Sequence, residues 1–83
     1  MDTAAAIKAD ETLDVRRKVC PMPVLLTKRK LQTMQAGDIL EVIGDYTQAA
    51  ENIQRFAKQE GHRILKVTKG LGNFDIYIKK IRQ

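Results

Sequence analysis

Strictly alternating and densely apolar segments recur along this chain, and they predict four β-strands. "ETLDVR", at 11–16, places Leu13 and Val15 on one side of a short strand. "DILEVIG", at 38–44, is rich in β-branched residues and predicts a central strand. "RILKVTK" and "NFDIYIKKI" predict two more strands, at 63–69 and 73–81, and the "GLGN" between them is typical of a hairpin turn.

A helical spacing of apolar residues predicts a first helix over 21–35. Its buried face is expected to hold Val24, Thr27, Leu31 and Met34. Pro21 suits the first helical position, and Pro23 falls in the first turn, where backbone N–H groups have no helical partner. The two prolines therefore mark the start of the helix, and Gly37 is a candidate C-terminal cap.

A second helix is predicted after Asp45, which resembles an N-cap residue with Gln48 in capping-box position. The apolar stripe of this helix consists of Ala49, Ile53, Phe56 and Ala57. Gly61 is expected to end it in the left-handed conformation.

The order β-α-β-α-β-β predicts an α/β fold with parallel β-α-β units. We expect a two-layer sandwich, in which both helices cover one face of a four-stranded mixed sheet. Residues 1–10 are expected to form a flexible tail, and residues 11–83 a single domain.

Composition narrows the class of protein. A chain of 83 residues buries only about 60% of its unfolded surface, so a deep closed active site is not expected. The apolar runs are too short to span a bilayer, and the N-terminus has no apolar core of signal-peptide length. A net charge of +5 favours acidic partners. We expect a cytoplasmic protein, since a lone cysteine stays reduced there.

The one cysteine, Cys20, stands at a position that favours reactivity. It is the expected N-cap residue of the first helix, where the helix dipole and first-turn amides stabilise a negative charge. Arg16, Arg17 and Lys18 precede it and add positive charge. These effects lower a thiol pKa and favour the nucleophilic thiolate. The alternative is an inert cysteine packed as a small apolar side chain.

Several chemistries are excluded by what accompanies Cys20. A single cysteine cannot form an intramolecular disulfide, so a dithiol oxidoreductase is not expected. No set of residues has zinc-ligand spacing, and we predict no structural metal. His62, the one histidine, is far away in sequence. It is interpreted as a surface or C-terminal helix residue, in preference to a residue that transfers a proton to the sulfur. A lone activated thiol on a small domain suits carrying a group.

The segments "LDVR…CPMP", "GDILEV", "D" and "EGH" together resemble the TusA/SirA-like sulfur-carrier family, from Leu13 to about Lys80. The resemblance implies the same β-α-β-α-β-β sandwich. It also implies that Cys20 accepts sulfane sulfur as a persulfide, without a cofactor. The implied partners are a donor (a cysteine desulfurase or rhodanese-like protein) and an acceptor protein, serving tRNA thiolation or other sulfur metabolism.

Residues around Cys20 receive supporting roles in this reading. Pro21, Pro23, Asp14 and Arg16 support the motif. Partner docking is assigned to Arg17, Lys18, Leu25, Leu26 and Lys28. For Leu25 and Leu26 the preferred interpretation is packing against the second helix, with docking as the alternative. Family members usually carry Arg-Gly where this chain has Arg16-Arg17, so a different loop path is expected if that glycine needs positive φ.

Two other functions stay open on the sequence alone. The net charge favours a small basic RNA-binding module, although four aromatic residues and no stacking motif make direct nucleic-acid binding a poor fit. A regulatory protein-binding domain with a structural Cys20 is the third possibility. We expect a monomer, since a sulfur shuttle has to meet two partners in turn. The protein would act as a carrier or catalyse at most half of a sulfurtransferase reaction.

Overall fold

The computed structural model describes residues 8–18 and 22–81 and contains six elements in the expected order. They are β1 (Glu11–Asp14), α1 (Met22–Gln32), β2 (Ile39–Gly44), α2 (Thr47–Gln59), β3 (Arg63–Gly70) and β4 (Asn73–Lys79). The prediction of an α/β fold with a four-stranded mixed sheet and two helices is confirmed.

The strand order in the sheet is β1-β2-β4-β3. β1 and β2 are parallel, with Leu13 opposite Val42. β4 lies antiparallel between β2 and β3, so β2 and β3 run in the same direction without touching. The parallel pairing places the carboxyl ends of β1 and β2 at the same end of the sheet.

The core lies between one face of the sheet and the helices. β2 and β4 alternate strictly, and their buried residues are Leu40, Val42, Gly44, Phe74, Ile76 and Ile78. The two predicted helical faces are confirmed. Thr27, Leu31 and Met34 are buried with Val24 packed against them, and Ala49, Ile53 and Ala57 are buried beside Phe56.

α1 ends earlier than predicted, at Gln32 instead of residue 35. The amides of Thr33 and Met34 bond to carbonyls three residues back, which tightens the chain out of the helix. The prediction of Gly37 as a helix cap was wrong. Its φ of +98° belongs to the turn before β2, where its N–H bonds to the Lys80 carbonyl.

α2 confirms one predicted end and corrects the other. At its end, Gly61 has a φ of +84°, and the amides of Gly61 and His62 bond to the carbonyls of Lys58 and Ala57, as in a Schellman motif. At its start, Tyr46 is the N-cap residue and makes no capping side-chain bond. The prediction of Asp45 as the cap was wrong, because its carboxylate accepts the Arg17 N–H instead.

The sheet face opposite the helices carries a half-buried carboxyl group. Asp75 lies diagonally across from Glu41 in the register of β2 and β4. Its Oδ1 atom is buried and accepts no hydrogen bond from the described residues. Burial raises the pKa of Asp75 to about 6; the neighbouring Glu41 adds to the rise, and Lys66 opposes it.

We expect the stability of the wild type to fall as pH rises from about 4 to about 6. Over that range folded Asp75 keeps a proton that the unfolded chain has released, so ionisation favours the unfolded state. Asp75→Asn should remove most of this fall and be about 1 kcal/mol more stable than wild type at pH 7.5. Urea unfolding of both proteins at pH 4.5 and 7.5 measures it, and parallel pH profiles would contradict the assignment.

Candidate functional site

A tight turn from Val15 to Lys18 leads from β1 toward the cysteine. Val15 is buried and its N–H bonds to the Ile43 carbonyl at 2.7 Å, which attaches the start of the turn to β2. The Lys18 N–H closes the turn on the Val15 carbonyl at 3.1 Å. The turn therefore begins from a rigid strand pair.

Arg17 occupies the third position of this turn with a φ of +69°. Among residues 8–18 and 22–81 it is the only non-glycine residue with positive φ. Turns with a positive φ at this position usually take glycine there. The expectation of a different loop path was wrong, because Arg17 itself adopts the left-handed conformation that a glycine would take.

Two carboxylates hold this turn. One belongs to Asp14, the last residue of β1, and the other to Asp45, which directly follows β2. Asp14 accepts the Arg16 N–H at 2.9 Å and binds its guanidinium, with Nη2 at 2.7 Å from Oδ2. Asp45 accepts the Arg17 N–H with both oxygens, at 3.0 and 3.1 Å. These four residues line a shallow polar depression at the carboxyl ends of β1 and β2.

The pairing with Asp14 changes the electrostatics predicted for the cysteine. Hydrogen bonds from Arg16, first through its side chain and then through its amide, lower the pKa of Asp14 to about 2. Asp14 is therefore ionised at neutral pH, and the Arg16 charge is matched by it. The positive charge contributed by the turn is smaller than three consecutive basic residues indicate.

Val19, Cys20 and Pro21 lie outside the described residues, so the roles predicted for Cys20 and Pro21 stay predictions. Lys18 and Met22 bracket them, and α1 begins at Met22. Pro23 is buried in the first turn of α1, and its carbonyl accepts the Thr27 hydroxyl at 2.8 Å. The cysteine therefore belongs to a three-residue link between the turn and the first residue of α1.

The exposed side of α1 next to this link is apolar and then basic. Met22 and Leu25 are 40% and 43% exposed, one helical turn apart, and Lys28 and Arg29 are exposed a turn further on. Leu26 packs against the buried core, whereas Leu25 is largely exposed. The preferred interpretation, packing of both side chains against the second helix, stays a prediction. Met22 was missed by sequence reasoning, although its three-residue spacing from Leu25 was visible.

His62 lies away from the turn. It precedes β3, at the opposite end and edge of the sheet from Arg17, roughly 20 Å away by strand spacing and rise. Its Nδ1 atom accepts the Ile81 N–H at 3.2 Å. It also borders a groove between the C-terminal halves of α1 and α2 that includes Phe56. The interpretation of His62 as a residue without a role at the cysteine link fits this placement.

Within residues 8–18 and 22–81, no group of three or more His, Cys, Asp or Glu side chains is arranged to hold a metal ion. In the same ranges, no helix is long and apolar enough to cross a membrane.

A sheet whose polar strand ends hold a turn, followed along the chain by the one cysteine and then by a helix, defines a small thiol-bearing α/β domain. The family described as Sulfurtransferase TusA matches this chain over residues 11–80. The chain therefore belongs to the TusA family.

Relatives cover nearly all of the domain. A Methanocaldococcus jannaschii protein named "Putative sulfur carrier protein MJ0990" is 44% identical over 87% of this chain and 96% of its own. The "Sulfur carrier protein TusA" of Allochromatium vinosum is 34% identical over 86% of this chain and 93% of its own. A crystal structure of a SirA-like protein from Desulfitobacterium hafniense superimposes with a TM-score of 0.76 and 27% identity, covering 87% of this chain and 99% of that one.

The left-handed conformation of Arg17 gives a stability prediction. Arg17→Gly and Arg17→Ala both remove the guanidinium, but only glycine adopts positive φ without a clash of its Cβ. We expect the glycine variant to be more stable than the alanine variant by roughly 0.5–1 kcal/mol, after the greater freedom of glycine in the unfolded chain is subtracted. Urea unfolding of the pair measures it. A more stable alanine variant would show that position 17 is unstrained.

Proposed function

We propose that this protein carries sulfane sulfur as a persulfide on Cys20 and passes it to an acceptor protein. Family membership supports a sulfur-carrier role. In sequence, the chain's one cysteine lies between the turn that two carboxylates hold and the start of α1. This position supports Cys20 as the residue that carries the sulfur. This placement is the observation on which the proposal chiefly rests, because a thiol near a helix N-terminus is favoured as thiolate.

The transfer step needs no oxidant or reductant. The Cys20 thiolate attacks the outer sulfur of a persulfide on the donor, a new S–S bond forms on Cys20, and the donor's S–S bond breaks. The donor leaves as a thiolate with the electron pair of that bond. In the second step a nucleophile of the acceptor attacks the outer sulfur, and Cys20 leaves as the thiolate.

The partners we propose are a donor, either a cysteine desulfurase or a rhodanese-like protein, and an acceptor in tRNA thiolation or another sulfur pathway. Exposed apolar and basic side chains flank the cysteine link in sequence. The apolar ones are Met22 and Leu25, and the basic ones are Lys18 and Lys28. Such groups suit a partner surface that is acidic and partly apolar. The relay is proposed to act in the cytoplasm as a monomer, free to meet each partner in turn.

A stoichiometric burst tests this function. Cysteine desulfurase releases alanine from cysteine as it forms its persulfide, and without a reductant it turns over again only when the persulfide is removed. Compared with the desulfurase alone, wild type should increase the released alanine by one molecule for each molecule of this protein. Cys20→Ser should cause no increase. Two results would contradict the proposal: an equal increase in alanine with Cys20→Ser, or wild type that raises neither the alanine released by the desulfurase nor the sulfite released by a rhodanese–thiosulfate donor tried in parallel.

Leu25→Ala should slow sulfur uptake from the protein donor by about threefold to tenfold, mainly through a higher donor KM. Leu25 is 43% exposed beside the link, and the loss of an exposed apolar contact weakens docking more than it weakens the fold. Unfolding free energy should change by less than about 0.5 kcal/mol. Leu71→Ala is the matched control, since Leu71 is fully exposed at the β3–β4 turn. Equal uptake by both variants would remove Leu25 from the docking surface.

A further inference from the structure

Asp45 connects two parts of the chain that are 28 residues apart in sequence. It directly follows Gly44, the last residue of β2, which is buried against Phe74 so closely that a Cβ there would lie 2.3 Å from Cζ of the ring. The carboxylate therefore extends from a strand end whose position is fixed by the core. From there both of its oxygens accept the Arg17 N–H.

Arg17 needs such a partner because its backbone conformation is unfavourable. A residue with a Cβ prefers negative φ, and Arg17 has a φ of +69°. The hydrogen bond that the Arg17 N–H donates to the Asp45 carboxylate offsets this preference. If Arg17 returned to negative φ, the direction of the chain would change at the point where it continues through Lys18 to the cysteine.

We propose that Asp45 is a positioning residue for Cys20: by holding the Arg17 N–H, it fixes the left-handed turn from which the chain continues through Lys18 to the cysteine, and so favours transfer from a protein donor. This inference rests on the proposed function. Asp45 does not touch the sulfur in this account. It acts through the backbone of Arg17, three residues before the cysteine.

A positioning role predicts that the loss depends on the reagent. Transfer between two proteins requires both sulfur atoms in line within a docked complex, so a misdirected link slows it strongly. A small alkylating reagent approaches from many directions and has no such requirement. Asp45→Ala should therefore slow sulfur uptake from a cysteine desulfurase about tenfold and change the rate of alkylation by iodoacetamide by less than about threefold.

Asp45→Asn separates the hydrogen bond from the charge. Its side-chain carbonyl oxygen can still accept the Arg17 N–H, although the negative charge is gone. Uptake by this variant should stay within about threefold of wild type. A loss as large as that of Asp45→Ala would assign the effect to the charge and would overturn the positioning role.

The most specific test repeats Asp45→Ala on two altered backgrounds. With Arg17→Gly the turn can form without Asp45, so Asp45→Ala should slow uptake by less than about threefold. With Arg17→Ala the strain remains, and the loss should again be about tenfold. Circular dichroism and thermal unfolding verify that every variant is folded, and each rate ratio is taken within one background.

The outcomes distinguish this inference from the proposed function. If wild type takes up sulfur and Asp45→Ala takes it up equally fast, or loses the same factor with glycine as with alanine at position 17, the positioning role is wrong and the carrier function stands. If folded wild type with an accessible thiol takes up no sulfur, both are overturned.

Discussion

Cys20→Ser is expected to abolish sulfur uptake completely while leaving the fold intact. A serine hydroxyl is not ionised at neutral pH and forms no persulfide, so no partial activity should remain. Serine is nearly isosteric with cysteine, and α1 begins two residues later, at Met22, so the fold should be kept. Sulfur uptake from a cysteine desulfurase and circular dichroism, measured on the same sample, give the two results together.

The same variant separates the carrier from the alternatives open on the sequence. A regulatory domain with a structural Cys20 would stay fully active as Cys20→Ser. An RNA-binding module would retain salt-dependent RNA binding in the serine variant. Full activity of Cys20→Ser in a cellular assay of sulfur transfer, with the variant protein present at wild-type level, would contradict the carrier account.

Lys80→Met is expected to lower the free energy of unfolding by about 3 kcal/mol. Lys80 is only 5% exposed, and its Nζ atom donates hydrogen bonds to the carbonyls of Leu31 and Met34. These carbonyls stand at the end of α1, where the helix dipole favours a cation. Methionine has a similar length but donates no hydrogen bond, so the Leu31 carbonyl would keep only the Met34 N–H and the Met34 carbonyl would lose its bond from Lys80.

Lys69→Met is the matched control for this effect. Lys69 is exposed on β3, so the same change of side chain should alter stability by less than about 0.5 kcal/mol. Urea unfolding of both variants and wild type measures the difference. If Lys80→Met unfolds at the same urea concentration as Lys69→Met, the buried ammonium does not stabilise the end of α1.

Features set by neighbouring residues were predictable from sequence. Apolar and polar residues alternate along β2 and β4, and apolar residues form a stripe along α2, because each element buries one face. The order of the elements and their apolar faces were therefore predicted correctly. Gly61 was also predictable, since a glycine directly after an amphipathic stripe is the common helix end. These signals lie within a few residues of the feature they predict.

The missed features depend on residues that only the fold brings together. Asp45 has the local pattern of an N-cap, and its bond to Arg17 spans 28 residues. Lys80 looks like one more surface lysine, yet it bonds to the Met34 carbonyl 46 residues earlier. Leu25 and Leu26 were assigned together to packing against the second helix, yet Leu25 is 43% exposed while its neighbour Leu26 packs against the core.

At Arg17, comparison with the usual Arg-Gly of the family led to the wrong expectation of a different loop path, although the physical reason for that expectation was sound. An arginine in place of the usual glycine argues against positive φ, since the penalty for a Cβ is about 1–2 kcal/mol. The structure keeps the left-handed turn because Asp45 supplies a partner for the Arg17 N–H. No local signal in "DVRRKV" indicates that partner.

Intact-protein mass spectrometry tests the central claim most directly. Reduced wild type and Cys20→Ser are each incubated with a cysteine desulfurase plus cysteine, and separately with a rhodanese plus thiosulfate. The account predicts a mass gain of one sulfur atom on wild type alone, reversed by a reductant. No gain from either donor, on a protein whose thiol is shown to react with iodoacetamide, would contradict it.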